Sequence, residues 1–124
     1  MSNQLKTFKD LLVWQKSITL VHKIYLLTKK FPVSEQFGLT SQIRRASVSI
    51  PSNVAEGWMR NSPKYLIHFL RISLGSLGEL ETQIEISHQE GYINAIEYKE
   101  VVESIEEVRK MLFGFLSSIN TDNS

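Results

Sequence analysis

The chain has 124 residues, of which 42% are hydrophobic and 22% are charged, and its formal net charge at pH 7 is +1. This length fits one domain with a hydrophobic core, and the composition is close to that of globular proteins, which argues against disorder. The absence of cysteine excludes disulfides and thiolate metal sites, and no signal-like or membrane-spanning segment is recognisable, so we expect a cytoplasmic protein. We predict one domain over residues 1–124 with an ordered core from about 8 to 119, flanked by the polar tails 1–6 and 120–124.

Charge is distributed unevenly along the chain. Residues 1–71 contain eleven Lys and Arg against three acids, a net +8, whereas residues 72–124 contain three against ten, a net −7. A split of this kind is found in proteins with a nucleic-acid-binding face. Oppositely charged helices packed side by side would produce it too, and this alternative stays open.

Four segments have the hydrophobic spacing of amphipathic helices. The first is predicted from about 8 to 29, with Thr7 and Asp10 as a capping pair at its start. Its expected core face consists of Leu11, Trp14, Ile18, Val21 and Tyr25.

The second helix is predicted from Ser34 or Glu35 to residue 56, with Ser34 as N-cap and Gly57 as the left-handed residue after its end. Pro51 should kink or break it, because proline lacks the amide hydrogen and crowds the preceding turn. The core side is Ile43, Ala46, Ile50 and Val54, and the opposite side is polar: Gln42, Arg45, Ser49, Asn53 and Glu56.

The third and fourth helices carry near-heptad apolar seams. The third starts at Ser62 with Pro63 in its first turn and ends near residue 89, before Gly91. The fourth opens at Asn94, with Glu97 completing a capping box. Their seams are Leu66, Leu70, Ser73, Leu77, Leu80 and Ile84 in the third, and Tyr98, Val101, Ile105, Val108, Leu112, Phe115 and Ile119 in the fourth.

Long helices with short connections predict an all-α fold, an antiparallel up-down-up-down four-helix bundle. From residue 8 to about 116 the chain also resembles the 23S rRNA intervening-sequence protein family, known too as the four-helix bundle protein family. The resemblance rests on four blocks: FKDLLVWQKS (8–17), FP followed by ExFGLTSQIRRA (31–46), SIPSNVAEG (49–57) and GSLGELETQ (75–83).

The resemblance implies antiparallel bundles that assemble as ring-like homopentamers, with some members encoded inside insertions of large-subunit ribosomal RNA genes. More distantly similar are the accessory variability proteins of diversity-generating retroelements, which work with RNA and a reverse transcriptase. No catalytic residues come with the resemblance. Function must therefore be argued from a site on this chain.

Glycines inside the third helix point to a subunit contact. Arg71, Gly75, Gly78 and Thr82 share one face away from the seam, and a glycine within a helix costs about 1 kcal/mol against alanine. We expect another backbone to approach Gly75 and Gly78 closely, either from a second subunit or from another helix of the same chain. On the second helix, Arg45, Ser49, Asn53 and Glu56 are the candidate polar network, sealing a subunit interface or lining a channel.

The basic half of the chain supplies the candidate RNA-binding residues. A phosphate-binding surface needs accessible Lys and Arg, and Trp58 or Tyr65 could offer a stacking platform. A solvated basic face is the competing interpretation, since no RNA-binding motif accompanies these residues. The candidates are Lys29, Lys30, Arg44, Arg60, Lys64 and Arg71.

The sequence offers little for catalysis. Glu85 and His88 have the spacing of one half of a carboxylate-bridged di-iron motif, but no second such pair exists. We predict no catalytic residues, cofactor, metal or small-molecule substrate. The favoured interpretation is a non-catalytic homo-oligomer of unsettled role, a pentamer by resemblance, that binds structured RNA. The alternative is a protein scaffold or adaptor without nucleic-acid binding.

Overall fold

Four α-helices and two short 3₁₀ turns form the part of the chain that the computed structural model describes, residues 5–119. The turns cover Phe8–Asp10 and Val33–Glu35, and no strand occurs within the described residues. The predicted tails lie largely outside this range, at 1–4 and 120–124. The helices are α1 (Leu12–Thr28), α2 (Leu39–Met59), α3 (Pro63–Gln89) and α4 (Ala95–Ser118).

The predicted starts of α3 and α4 are confirmed, whereas the first α-helix begins at Leu12 instead of about residue 8. Thr7 and Asp10 form a capping box, although it opens the first 3₁₀ turn rather than α1 itself. Asn94 Oδ1 accepts a hydrogen bond from the Glu97 N–H, and the Glu97 carboxylate accepts one from the Asn94 N–H, so both residues cap α4. Pro63 begins α3, and Ser62 precedes it in extended conformation without a side-chain capping bond.

The predicted start of α2 at Ser34 or Glu35 is wrong. Val33–Glu35 form a separate 3₁₀ turn, and the backbone at Gly38 leaves the helical region before α2 begins at Leu39. The Glu35 carboxylate accepts a 3.1 Å hydrogen bond from the Leu39 N–H, which satisfies one of the free amides at a helix start. Glu35 therefore caps α2 from outside the helix.

The predicted end of α2 is also wrong, because Gly57 lies inside the helix. A Cβ at Gly57 would lie 3.0 Å from Phe69 Cβ and 3.3 Å from Leu66 Cα, so this glycine allows α3 to approach α2 closely. Asn61, with φ of 52°, adopts the left-handed conformation after the helix instead. α2 continues through Pro51 without a break.

One apolar core joins all four helices. The predicted core positions Ile43, Ala46, Ile50 and Val54 of α2 are confirmed as buried, as are the central positions of both heptad seams. The predicted core face of the first helix is only partly confirmed: Leu11 is buried and Trp14 packs against the core, but Ile18 is 41% exposed and Tyr25 38% exposed. α1 has apolar residues on two sides, and the side that faces the core is entirely aliphatic among its apolar residues. The buried aliphatic residues of α1 are Val13, Leu20, Ile24 and Leu27.

Polar contacts link the basic helix α1 to the acidic helix α4. Lys16 Nζ lies 3.6 Å from Glu107 Oε2, Lys23 Nζ donates a 2.6 Å hydrogen bond to Ser104 Oγ, and Lys30 pairs with Glu97. Side-by-side packing of oppositely charged helices thus explains part of the charge split along the chain. No helix within residues 5–119 is long and apolar enough to span a membrane.

Candidate nucleic-acid interface

An open groove lies between α1 and the first turns of α2, with a volume of about 670 Å³. That volume falls within the range of sites that hold small ligands. Its lining contains two adjacent arginines and no acidic residue, and we call it the arginine groove. The lining residues are Tyr25, Gln36, Phe37, Thr40, Ser41, Arg44, Arg45, Val48 and Ser49.

The two arginines of the groove differ in how they are held. Arg44 Nε donates a 2.9 Å hydrogen bond to Thr28 Oγ1, and its guanidinium carbon lies 4.6 Å from the centre of the Tyr25 ring. Arg44 is therefore fixed against α1, while Arg45 extends into solvent. Neither arginine has a carboxylate within ion-pair distance among residues 5–119. Both positive charges remain available to an anion.

Phe37 projects from the loop before α2, and 92% of its surface is exposed. Hydrogen bonds hold this loop on both sides of Phe37, from Gln36 N–H to Val33 O and from Gly38 N–H to Glu35 O, each 3.0 Å long. Tyr92, between α3 and α4, donates a 3.0 Å hydrogen bond to Glu35 Oε2. This bond raises the pKa of the Tyr92 phenol above its usual value and ties the loop to the other half of the chain.

The six candidate RNA-binding residues are not brought together. Lys30 and Arg60 are paired with Glu97 and Glu56 respectively, so their charges are partly compensated. Arg44 lies in the arginine groove, whereas Lys29, the residue after the end of α1, is exposed and is not part of the groove lining. Arg60 is sixteen residues beyond Arg44, about 24 Å along α2. Lys64 and Arg71 follow it in α3, and both are exposed.

The two aromatic residues proposed as stacking platforms are less accessible than Phe37. Arg60 covers Tyr65, with 5.6 Å between the guanidinium carbon and the ring centre. Trp58 is half-buried against the core. The sequence pattern does not single out Phe37, because a helix starting at Ser34 would include it. No signal in the sequence identifies Phe37, because its exposure depends on the loop that precedes α2.

Two members of the predicted polar network are hydrogen-bonded to each other. Asn53 Nδ2 donates to Ser49 Oγ over 2.9 Å, and Ser49 Oγ lies 2.7 Å from Ser76 Oγ of α3. Glu56 instead pairs with Arg60 over 2.8 Å. Participation of Arg45 in a subunit interface stays a prediction.

The glycines of α3 lie on an open face. A Cβ built on Gly75 or Gly78 would meet no atom within 4 Å. An approach by another helix of the same chain is therefore excluded for the described residues, and a subunit contact stays a prediction.

A second groove, on the outward side of α1, is almost entirely apolar and has a volume of about 290 Å³. It contains several residues of the face that the sequence assigned to the core, and we call it the apolar groove. The lining residues are Phe8, Trp14, Ile18, Val21, Val48, Pro51, Ser52 and Ala55.

Glu85 and His88, the half-motif for a metal, are engaged with Tyr98 of α4. The Tyr98 hydroxyl donates a 2.6 Å hydrogen bond to Glu85 Oε1, and the His88 ring stacks on the Tyr98 ring at 4.3 Å. Within residues 5–119 no three His, Asp or Glu side chains are grouped closely enough to hold a metal ion.

Comparisons with known proteins agree with the sequence blocks described above. Residues 9–114 match the 23S rRNA-intervening sequence protein family. The fold is similar to the crystal structure of a protein of unknown function from the S23 ribosomal protein family of Bacteroides thetaiotaomicron VPI-5482. That match has a TM-score of 0.79 and 28% sequence identity, and it covers 86% of this chain and 100% of the other. No curated protein matches the sequence. The match over most of its length shows that the chain belongs to the 23S rRNA-intervening sequence protein family.

Proposed function

We propose that this protein is a non-catalytic RNA-binding module that works as a homo-oligomer in the cytoplasm. The observation that carries the proposal is the arginine groove, which Arg44 and Arg45 both line without a carboxylate among the lining residues. Guanidinium groups bind phosphate oxygens with paired hydrogen bonds. A groove that presents two of them fits a phosphodiester backbone better than it fits a neutral ligand.

The choice of RNA also draws on the relatives. The family name refers to an intervening sequence of 23S rRNA, and the similar bacterial structure is assigned to a ribosomal protein family. The first name mentions 23S rRNA and the second a ribosomal protein family. On this chain the groove supplies a physical basis for an association with RNA.

We further infer an antiparallel up-down-up-down bundle from the order of the contacts. Lys16 and Lys23 of α1, and Lys30 just after it, meet residues 107, 104 and 97 of α4 in turn, so the two helices run in opposite directions. Ser49 and Ile50 of α2 meet Ser76 and Ser73 of α3 in the same reversed order. Short connections between successive helices agree with this topology.

Two surfaces support assembly with further copies of the chain. The open glycine face of α3 would let a second backbone come close, and the apolar groove leaves Ile18 and Val48 partly exposed. Exposed apolar patches on soluble proteins are typical of protein contacts. The resemblance favours a ring of five, and a ring would multiply a weak RNA contact by its copy number.

The first experiment is light scattering of the purified protein, with and without total bacterial RNA, at low and at high salt. We expect a mass near five times the 14.3 kDa monomer and a further shift with RNA at low salt only. An unchanged mass with RNA would contradict RNA binding and leave a protein scaffold. A monomer would contradict the assembly.

Substitution of the groove arginines tests the site itself. Arg45→Gln should weaken RNA binding and flatten its salt dependence, because one phosphate contact is lost. Lys99→Gln is the matched control, since Lys99 is an exposed cation on α4 away from the groove. Equal effects of the two substitutions would argue against the groove as the RNA site.

A further inference from the structure

From the geometry of the arginine groove we infer that it binds a single-stranded RNA segment, with one unpaired base stacked on Phe37 and the adjoining phosphates on Arg44 and Arg45. This inference rests on the proposed RNA-binding function. It adds the form of RNA that is recognised.

The exposure of Phe37 is the first step. A phenylalanine ring that is 92% exposed leaves its apolar surface in water, which is unfavourable by about 25 cal/mol for each Å². The ring belongs to the lining of the arginine groove, so an aromatic face and two cations border the same space. Grooves that bind single strands combine these two features, because the aromatic ring stacks a base while the cations follow the backbone.

The rigidity of the loop is the second step. Backbone hydrogen bonds on both sides of Phe37, together with the contacts of Glu35 to Leu39 and Tyr92, hold the loop without any ligand. Binding would therefore order little additional backbone, which lowers its entropic cost. Arg44 is likewise held in advance by Thr28 and Tyr25.

The polar lining is the third step. Gln36 and Ser41 offer donors and acceptors in the same lining as Phe37. Thr40, only 6% exposed, also lines the groove, and its Oγ1 has no hydrogen-bond partner within residues 5–119. Buried hydroxyls are normally hydrogen-bonded. The Gln36 amide and the Ser41 hydroxyl, which both donate and accept, match the edge of a base, whereas a phosphate offers acceptors only.

These features select a single strand over a duplex. In an A-form helix the base faces are stacked on one another, and a lone phenylalanine cannot reach them without unstacking the helix. Unpaired bases in loops, bulges and single strands expose those faces. A duplex would use only the arginines and gain nothing from Phe37.

The test compares two fluorescein-labelled RNAs of equal length, an unstructured single strand and a blunt-ended duplex without a loop, by fluorescence anisotropy with the assembled protein. We expect tighter binding of the single strand. Phe37→Leu should weaken that binding about 5- to 150-fold, as for loss of one stacked base, and leave duplex binding unchanged. Phe37→Trp should retain or improve it, because tryptophan restores a stacking face of larger area.

Phe113→Leu is the matched control, since Phe113 is an exposed phenylalanine on α4 outside the groove. Phe37→Leu should fold normally because its ring lies in solvent, and circular dichroism checks this. Equal binding of both RNAs, or equal effects of Phe37→Leu and Phe113→Leu, would overturn the single-strand inference while RNA binding stands. If neither RNA binds at low salt, the proposed function fails as well.

Discussion

The Tyr98 hydroxyl of α4 donates a 2.6 Å hydrogen bond to Glu85 Oε1 of α3. The same carboxylate accepts a second bond, of 3.1 Å, from Gln89. The bond from Tyr98, helped by that from Gln89, lowers the pKa of Glu85, and the carboxylate in turn raises the pKa of the Tyr98 phenol. The contact therefore requires an ionised Glu85 and a protonated Tyr98.

Tyr98→Phe should lower the free energy of unfolding most at neutral pH. The Glu85 contribution is present above the ordinary carboxyl pKa of 4.5 and is lost as pH falls below it. The Tyr98 contribution is present below the ordinary phenol pKa of 10.0 and is lost as pH rises through the raised value. Urea unfolding across this pH range checks the prediction, with Tyr65→Phe as the control. A difference from wild type that did not change with pH would contradict it.

Ile24→Ala and Ile18→Ala compare the two apolar sides of α1. Ile24 is fully buried, and its truncation should cost about 2–5 kcal/mol of unfolding free energy. Ile18 is 41% exposed, so its truncation should cost about 1 kcal/mol or less in the single chain. Chemical unfolding of both variants measures the difference. Equal losses would mean that the outward side of α1 is covered.

Gly57→Ala should destabilise the bundle by about 1–3 kcal/mol, because the added methyl group overpacks the contact between α2 and α3. The new carbon would lie 3.3 Å from the Leu66 backbone, which has little freedom to move. Gly114→Ala, with no atom within 4 Å of its added carbon, should instead gain about 0.5–1 kcal/mol from helix propensity. Thermal unfolding of the two variants should shift in opposite directions.

Gly78→Leu should reduce the mass of the assembly without unfolding the chain. The open space beside Gly78 accommodates a larger side chain within one subunit, whereas a neighbouring backbone would be pushed away. Light scattering measures the mass, and circular dichroism checks helix content. Gly114→Leu, on α4, is the control. An unchanged mass for Gly78→Leu would argue against a subunit contact on this face.

The helices of this protein are predictable where side-chain pattern and capping agree. Asn94 with Glu97 identifies the start of α4, and the heptad seams of α3 and α4 identify their buried faces. The buried face of α1 is not predictable in this way, because α1 carries apolar residues on two sides. Hydrophobic periodicity alone does not determine which of the two sides packs against the other helices. That choice depends on tertiary packing.

The site was partly predictable. Arg44 can be predicted as a site residue from its positive charge, and Arg45 from its position on the polar face of the second helix. Phe37 cannot, because its exposure depends on where α2 begins. The Glu35 carboxylate caps that helix across three residues, and Tyr92 supports it from a distant part of the sequence. Local helix propensity does not include contacts between distant residues. The predicted second helix is therefore too long at its start, and it includes Phe37, whose ring is exposed in the loop.

The contacts between α1 and α4 bear on how the chain folds. Lys23 and Ser104 are 81 positions apart and Lys30 and Glu97 are 67 apart, whereas Ser73 and Ile50 of the α2–α3 pair are only 23 apart. Closing the longer loops costs more chain entropy, so we expect α2 and α3 to associate first and α1 to dock against α4 late. In native-state hydrogen exchange, amides at the middle of α2 and α3 should then be the slowest to exchange.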